Sequence, residues 1–141
     1  MAVVRFHLVS SLRPAEAMAV LTDFSASRAQ VWPSIDADHF TVHELGENWA
    51  EVTEGTSAAW ERARYEWSDS KVTVTTLESK LFGAGGGWVF DLTPEADGTR
   101  VDVELTRTPS DFKGKVLASL LPLVGPSSLR KSFSKPLRAA A

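Results

Sequence analysis

The first apolar positions alternate: Val4, Phe6 and Leu8 are separated by Arg5 and His7, the period of a strand with one buried face. A helix start follows. Ser11 is the predicted cap, Pro14 pre-sets the first-turn dihedral, Glu16 lies near the positive dipole end, and Ala15, Met18, Ala19 and Leu21 carry helical spacing. A second short helix is predicted from Ser25 or Ser27 to about Trp32, where Pro33 pushes its predecessor out of the helical region. From Asp38 the period changes to two. Turn signals fall at Gly46–Asn48, Ser68–Ser70, Gly83–Gly87 and Ala96–Gly98, and the Val-, Thr- and aromatic-rich runs between them predict an antiparallel meander of six or seven strands in one sheet. Near Ser110 helical spacing returns. Phe112, Val116, Leu117, Leu120, Leu121 and Val124 form an apolar stripe continued by Leu129, Phe133 and Leu137, with a kink or break at Pro122 and Gly125-Pro126.

Parity assigns the inner face of the sheet, because the more apolar alternate set should point toward the helix. That set is Val4, Phe6 and Leu8 in the first strand and Phe40 and Val42 in the second. It is Trp88, Phe90 and Leu92 in the sixth strand and Val101, Val103 and Leu105 in the seventh. In the fourth strand Glu61, Ala63, Tyr65 and Trp67 make a better inner set than Trp60, Arg62, Arg64 and Glu66. This places the Glu61 carboxyl and the Tyr65 hydroxyl among apolar neighbours, where an unpaired polar group costs roughly 1–3 kcal/mol or more. Either the two orient a ligand's polar end or act on it as acid and base, or Glu61 reaches a wet mouth and Tyr65 is a core residue bonded to backbone. Trp32, Trp67 and Trp88 are candidate wall residues or large core fillers. The expected ligand-binding set is Trp32, Phe40, Glu61, Tyr65, Trp67, Trp88, Phe90, Leu117 and Leu121.

Composition narrows the chemistry. A chain of 141 residues is expected to form one domain with its own core. Having no cysteine, it has no disulfide, thiolate metal site or cysteine nucleophile. Arg5 and His7 interrupt the N-terminal apolar run, no stretch approaches the roughly 20 apolar residues of a membrane span, and a cytoplasmic location is the default expectation. The net charge of −3 hides an asymmetry: from Ser110 onward six basic residues meet one acid, Asp111, so this tail carries +5 and the preceding residues −8. Such a tail suits contact with an anionic membrane or nucleic acid, or it is the solvated face of an amphipathic helix packed on an acidic sheet. His39 and His43, four apart in the expected second strand, would stand roughly 13 Å apart, too far for one metal. All three histidines are expected to face outward. The Gly83–Gly87 run lacks a following Gly-Lys-Ser/Thr and reads as a bulged or bent turn. Neither a basic, aromatic nucleic-acid face nor a dinucleotide fingerprint is present, so no cofactor and no nucleic-acid partner are expected.

The order strand, two short helices, antiparallel strands and long C-terminal helix resembles the helix-grip superfamily of START-like, Bet v 1-like and polyketide cyclase/dehydrase (SRPBCC) proteins. The matching residues are Pro14 and Glu16, Asp23-Phe24-Ser25, Trp32-Pro33, Trp60-Glu61-Arg62 with Tyr65-Glu66-Trp67-Ser68, Phe82 to Trp88, and Asp97-Gly98. The helix from Lys113 to Arg138 completes the match. The glycine-rich loop of the plant Bet v 1 group is absent; Gly46-Glu47-Asn48 stands in its place. The resemblance implies an α+β helix-grip fold whose curved sheet wraps the C-terminal helix around a cavity. It implies a carrier for a lipid-like or polyketide-like molecule, a cofactor-independent cyclase, aromatase or dehydratase, or a protein-interaction module. A closed core would favour the last reading, and an open pocket with two or more hydrogen-bonded polar groups deep inside would favour the enzyme.

Overall fold

The computed structural model describes residues 2–109 and 126–139. In β1 (Ala2–Ser10) the alternation is realised: Val4, Phe6 and Leu8 are buried while Arg5, His7 and Val9 are exposed. Helix α1 (Pro14–Leu21) begins at Pro14. Its entry is held by Glu16, whose carboxylate accepts the Arg13 N–H at 2.9 Å. Ser11 is not the cap: its hydroxyl and its backbone N–H both donate to the Arg138 carbonyl, at 3.0 Å and 3.1 Å, because the C-terminal turn runs alongside. The Asp23 carboxylate accepts the Ser25 N–H at 2.9 Å, and the Ser25 bonds hold that carboxyl below its ordinary range. This turn leads into α2 (Arg28–Val31), after which Trp32 is extended, as a residue before proline should be.

A 3-10 turn (Ala37–His39) then feeds six further strands: β2 (Thr41–Leu45), β3 (Trp49–Gly55), β4 (Trp60–Trp67), β5 (Lys71–Ser79), β6 (Gly83–Glu95) and β7 (Gly98–Thr108). All neighbours are antiparallel, in the order β1-β7-β6-β5-β4-β3-β2. Residues 126–134 form helix α3, which lays Phe133 against the inner face of the sheet. The result is an α+β helix-grip architecture with its core between sheet and helices. No described helix is long and apolar enough to cross a membrane. The Phe112–Val124 stripe and the expected break at Pro122 lie outside the described residues, apart from Pro126, which is helical.

Three expectations need correction. The Gly83–Gly87 run is not a turn but the start of β6, where a register shift between Gly83 and Gly87 bulges the strand against Thr106 to Thr108 of β7. A Cβ at Gly87 would lie 1.8 Å from the Val74 carbonyl oxygen, and Gly85 adopts φ +100°, so glycine lets three strands approach closely through a bulge. The second strand has no buried face. Phe40 precedes it, all five of its residues are exposed, and a bulge between Val42 and Glu44 breaks the parity on this edge strand. His39 sits in the 3-10 turn rather than sharing a strand with His43; its Nδ1 lies 3.9 Å from the Asp36 carboxylate and makes no hydrogen bond.

Candidate functional site

Between the inner sheet face and helices α2 and α3 lies an open cavity of about 270 Å³. This is slightly below the roughly 300–1,000 Å³ of typical ligand pockets. Trp32, Phe82, Trp88, Phe90, Leu105 and Phe133 form most of its apolar wall. The bulge in β6 and the β3–β4 turn (Gly55, Ala59) set its rim, while Leu129 and Phe133 bring α3 over it. Trp88 and Phe90 stack nearly parallel, 6.0 Å between centroids, and the Phe133 ring lies 5.4 Å from Trp32 and from Trp88.

Two polar clusters interrupt this wall. In the first, Arg28 reaches from α2 to the Glu54 carboxylate on β3 (Nε to Oε1 2.7 Å) and to the Tyr65 hydroxyl on β4 (3.0 Å). The Tyr65 hydroxyl in turn donates to Glu54. The remaining N–H groups of Arg28 go to Glu54 at 3.4 Å and to the carbonyls of Leu21 (3.2 Å) and Asp23 (3.0 Å), so all five are bonded. Phe24, Arg28 and Trp32 are spaced by four, and the guanidinium lies 4.7 Å from the Phe24 ring centroid and 5.7 Å from that of Trp32. Burial opposes the charge on Arg28, but Tyr65 and Glu54 outweigh it and push the guanidinium above its ordinary range. Burial, followed by the neighbouring Glu54 charge, pushes the Tyr65 phenol well above its usual value.

Because Tyr65 is the only tyrosine, its ionisation is observable by itself. Above pH 10, the ordinary tyrosine value, the unfolded chain releases a proton that the folded chain keeps, so the unfolded state binds fewer protons. The contribution of Tyr65 is therefore complete below that pH. It is lost above it by up to about 1.4 kcal/mol per pH unit. An alkaline absorbance titration should show tyrosinate appearing only as the fold melts. Tyrosinate formed in the intact fold near pH 10 would contradict this assignment.

In the second cluster Glu61 of β4 accepts four bonds: from Arg107 Nη1 (2.9 Å), Arg107 Nη2 (3.4 Å), the Thr76 hydroxyl (2.8 Å) and the Trp88 indole N–H (3.3 Å). Arg107 also donates to the Thr76 oxygen at 3.0 Å, and its guanidinium lies 5.4 Å and 5.5 Å from the Phe82 and Trp88 ring centroids. Both clusters are ion pairs whose charges cancel locally, held by donors from separate elements.

Of the residues singled out from sequence, Trp32, Glu61, Tyr65, Trp88 and Phe90 meet in this cavity. Phe40 and Trp67 are not among its described lining: Phe40 is displaced ahead of β2, and the Trp67 ring packs 5.9 Å from Phe24. Leu117 and Leu121 lie outside the described residues. Sequence reasoning passed over Arg28, Glu54, Thr76 and Arg107. The last three had a signal, since residue 54 continues the inward series Ala50 and Val52, residue 76 follows Val72 and Val74, and residue 107 follows Val101, Val103 and Leu105. Arg62 and Arg64 point away from the cavity, toward Glu51 and the Trp49 ring respectively. Among the described residues no group of three acidic or histidine side chains is placed to hold a metal.

An open antiparallel sheet gripping a C-terminal helix over a cavity defines a helix-grip protein, and solved structures agree. The chain is similar to a START superfamily protein from Mycobacterium smegmatis (TM-score 0.76, 11% identity, 98% of each chain covered). It is similar to the Zhui aromatase/cyclase from Streptomyces sp. R1128 (0.69, 12%, 95% of this chain and 90% of that one). It is also similar to a STAR-related lipid transfer protein from Xanthomonas axonopodis (0.69, 14%, 95% and 84%). No protein-family model matches the sequence, and no curated protein does. The fold is thus the START-like, Bet v 1-like one, a statement of architecture at these identities.

Proposed function

We propose that this chain, as a single START-like domain, binds and carries an apolar small molecule in the cavity between sheet and C-terminal helix. The observation that carries this reading is an open, aromatic-walled cavity whose ionisable side chains are bonded to one another. A general base needs a free lone pair near neutral pH. Glu61 already accepts four bonds, and the Glu54 carboxylate is held by Arg28 and Tyr65. The likeness to a START superfamily protein and a STAR-related lipid transfer protein supports the same reading.

A cofactor-independent cyclase is the second reading. Two hydrogen-bonded polar clusters deep in an open pocket favour it, as does the likeness to an aromatase/cyclase. The bonding pattern weighs toward carriage, because Glu61 accepts four bonds and Glu54 accepts three from buried partners, two of them from the Arg28 guanidinium.

Titration of folded protein with an environment-sensitive apolar dye tests binding. Saturable, displaceable fluorescence is expected, weakened about tenfold in Trp88→Ala, equivalent to about 1.4 kcal/mol. Absence of binding by the wild type, or equal binding by Trp88→Ala, would remove the cavity from the argument. Native mass spectrometry then separates the readings: a ligand recovered unchanged supports carriage, whereas multiple turnovers of a bound diketone per protein would make it an enzyme.

A further inference from the structure

We propose that the cavity selects apolar molecules bearing a neutral hydrogen-bond acceptor, such as a ketone, ester or amide carbonyl, over the carboxylate of the same skeleton, with Arg107 as the donor. This rests on the ligand-binding reading above and adds the class of ligand.

The argument is one of counting donors, acceptors and charges. A carboxylate has about four lone-pair sites. Those of Glu61 receive two N–H groups of Arg107, the Thr76 hydroxyl and the Trp88 indole N–H. A ligand hydroxyl or ammonium would have to displace one of them. Arg28 has no donor to spare, since its five N–H groups end on Leu21, Asp23, Glu54 and Tyr65. Arg107 differs. Among the described residues three of its five N–H groups are engaged, with Glu61 and Thr76, and the guanidinium lines the cavity between the Phe82 and Trp88 rings. A guanidinium has N–H donors and no acceptor, so the polar feature Arg107 shows a ligand is a donor.

Charge decides between acceptors. Arg107 is neutralised by Glu61 and Arg28 by Glu54, so the two cavity ion pairs have no net positive charge with which to receive an anion. A bound carboxylate would lose its hydration and stand beside the Glu61 carboxylate. A carbonyl loses far less hydration and still gains a bond from a charged donor, the stronger kind of hydrogen bond.

Three competitors of equal shape test this by displacement of the apolar dye at neutral pH: 2-acetylnaphthalene, 2-isopropylnaphthalene and 2-naphthoate. The acetyl compound should bind about tenfold more tightly than the isopropyl compound, and naphthoate more weakly than the acetyl compound by at least as much. Glu61→Gln leaves the Arg107 charge uncompensated, so naphthoate should become the tightest of the three. Arg107→Gln should erase the advantage of the ketone; melting curves establish that each variant is folded. The wild-type ranking alone is decisive if neither variant folds. Equal binding of the acetyl and isopropyl compounds, or naphthoate as the best wild-type ligand, overturns the proposal while leaving ligand binding intact. If neither the dye nor any of the three binds, the ligand-binding reading itself fails.

Discussion

Glu54→Ala should lower folding stability by about 3–5 kcal/mol, the cost of leaving one member of a buried ion pair without its partner. The side chain of Arg28 is only 4% exposed, and its charge cannot be shed, because the surroundings hold the guanidinium above its ordinary range. Without Glu54, three donors lose their acceptor: Arg28 Nε, one Arg28 Nη2 proton and the Tyr65 hydroxyl. The pair also ties α2 to the sheet, so the same change should loosen the wall carrying Trp32. Denaturant unfolding of the single variant measures the loss. A double variant, Arg28→Met with Glu54→Leu, should recover most of it, since replacing both charges by apolar groups removes the buried charge altogether. A Glu54→Ala midpoint equal to wild type would show that Arg28 swings to solvent at little cost.

Phe133→Ala should cost about 3–5 kcal/mol, in the range of a buried aromatic truncated in a packed core. The ring touches four residues that the chain brings together from three places: Phe6 of β1 at 5.9 Å, Trp32 after α2 at 5.4 Å, and Trp88 and Phe90 of β6 at 5.4 Å and 5.9 Å between centroids. It fastens α3 to β1 and β6 and forms part of the cavity wall. Removing it leaves a void that rigid aromatic neighbours fill poorly. Phe133→Leu keeps most of the volume and should lose distinctly less. Chemical denaturation of the two variants checks the order, and an alanine variant as stable as wild type would mean that the helix is held elsewhere.

The cavity was legible in the sequence wherever a strand keeps strict alternation. Val4, Phe6 and Leu8, then Ala63 and Tyr65, then Trp88, Phe90, Val101, Val103 and Leu105 all face inward, because a single period-two strand has no other way to bury its apolar set. Where the backbone departs from regularity, parity stops carrying information. On the edge strand β2, Val42 stays opposite the buried Val52 yet is exposed, the bulge beyond it moves Leu45 rather than Glu44 opposite Ala50, and the glycine run that reads as a turn is strand because it bends against β7.

Pattern alone therefore determined the α+β order of elements and five of the side chains that meet in the cavity, and the family resemblance supplied the helix-grip class. Of the polar positions it singled out Glu61, while residues 54, 76 and 107, each one inward step beyond an apolar series, were passed over. Only the tertiary structure decided what those polar groups do. Arg28 and Glu54 are 26 residues apart and Glu61 and Arg107 are 46 apart, and a local pattern holds no information on which charge will meet which. Across the concave face of the sheet Arg107 of β7 reaches past β6 and β5 to Glu61 of β4, and Arg28 of α2 meets Glu54 of β3; buried charges must pair within that geometry or not be buried at all.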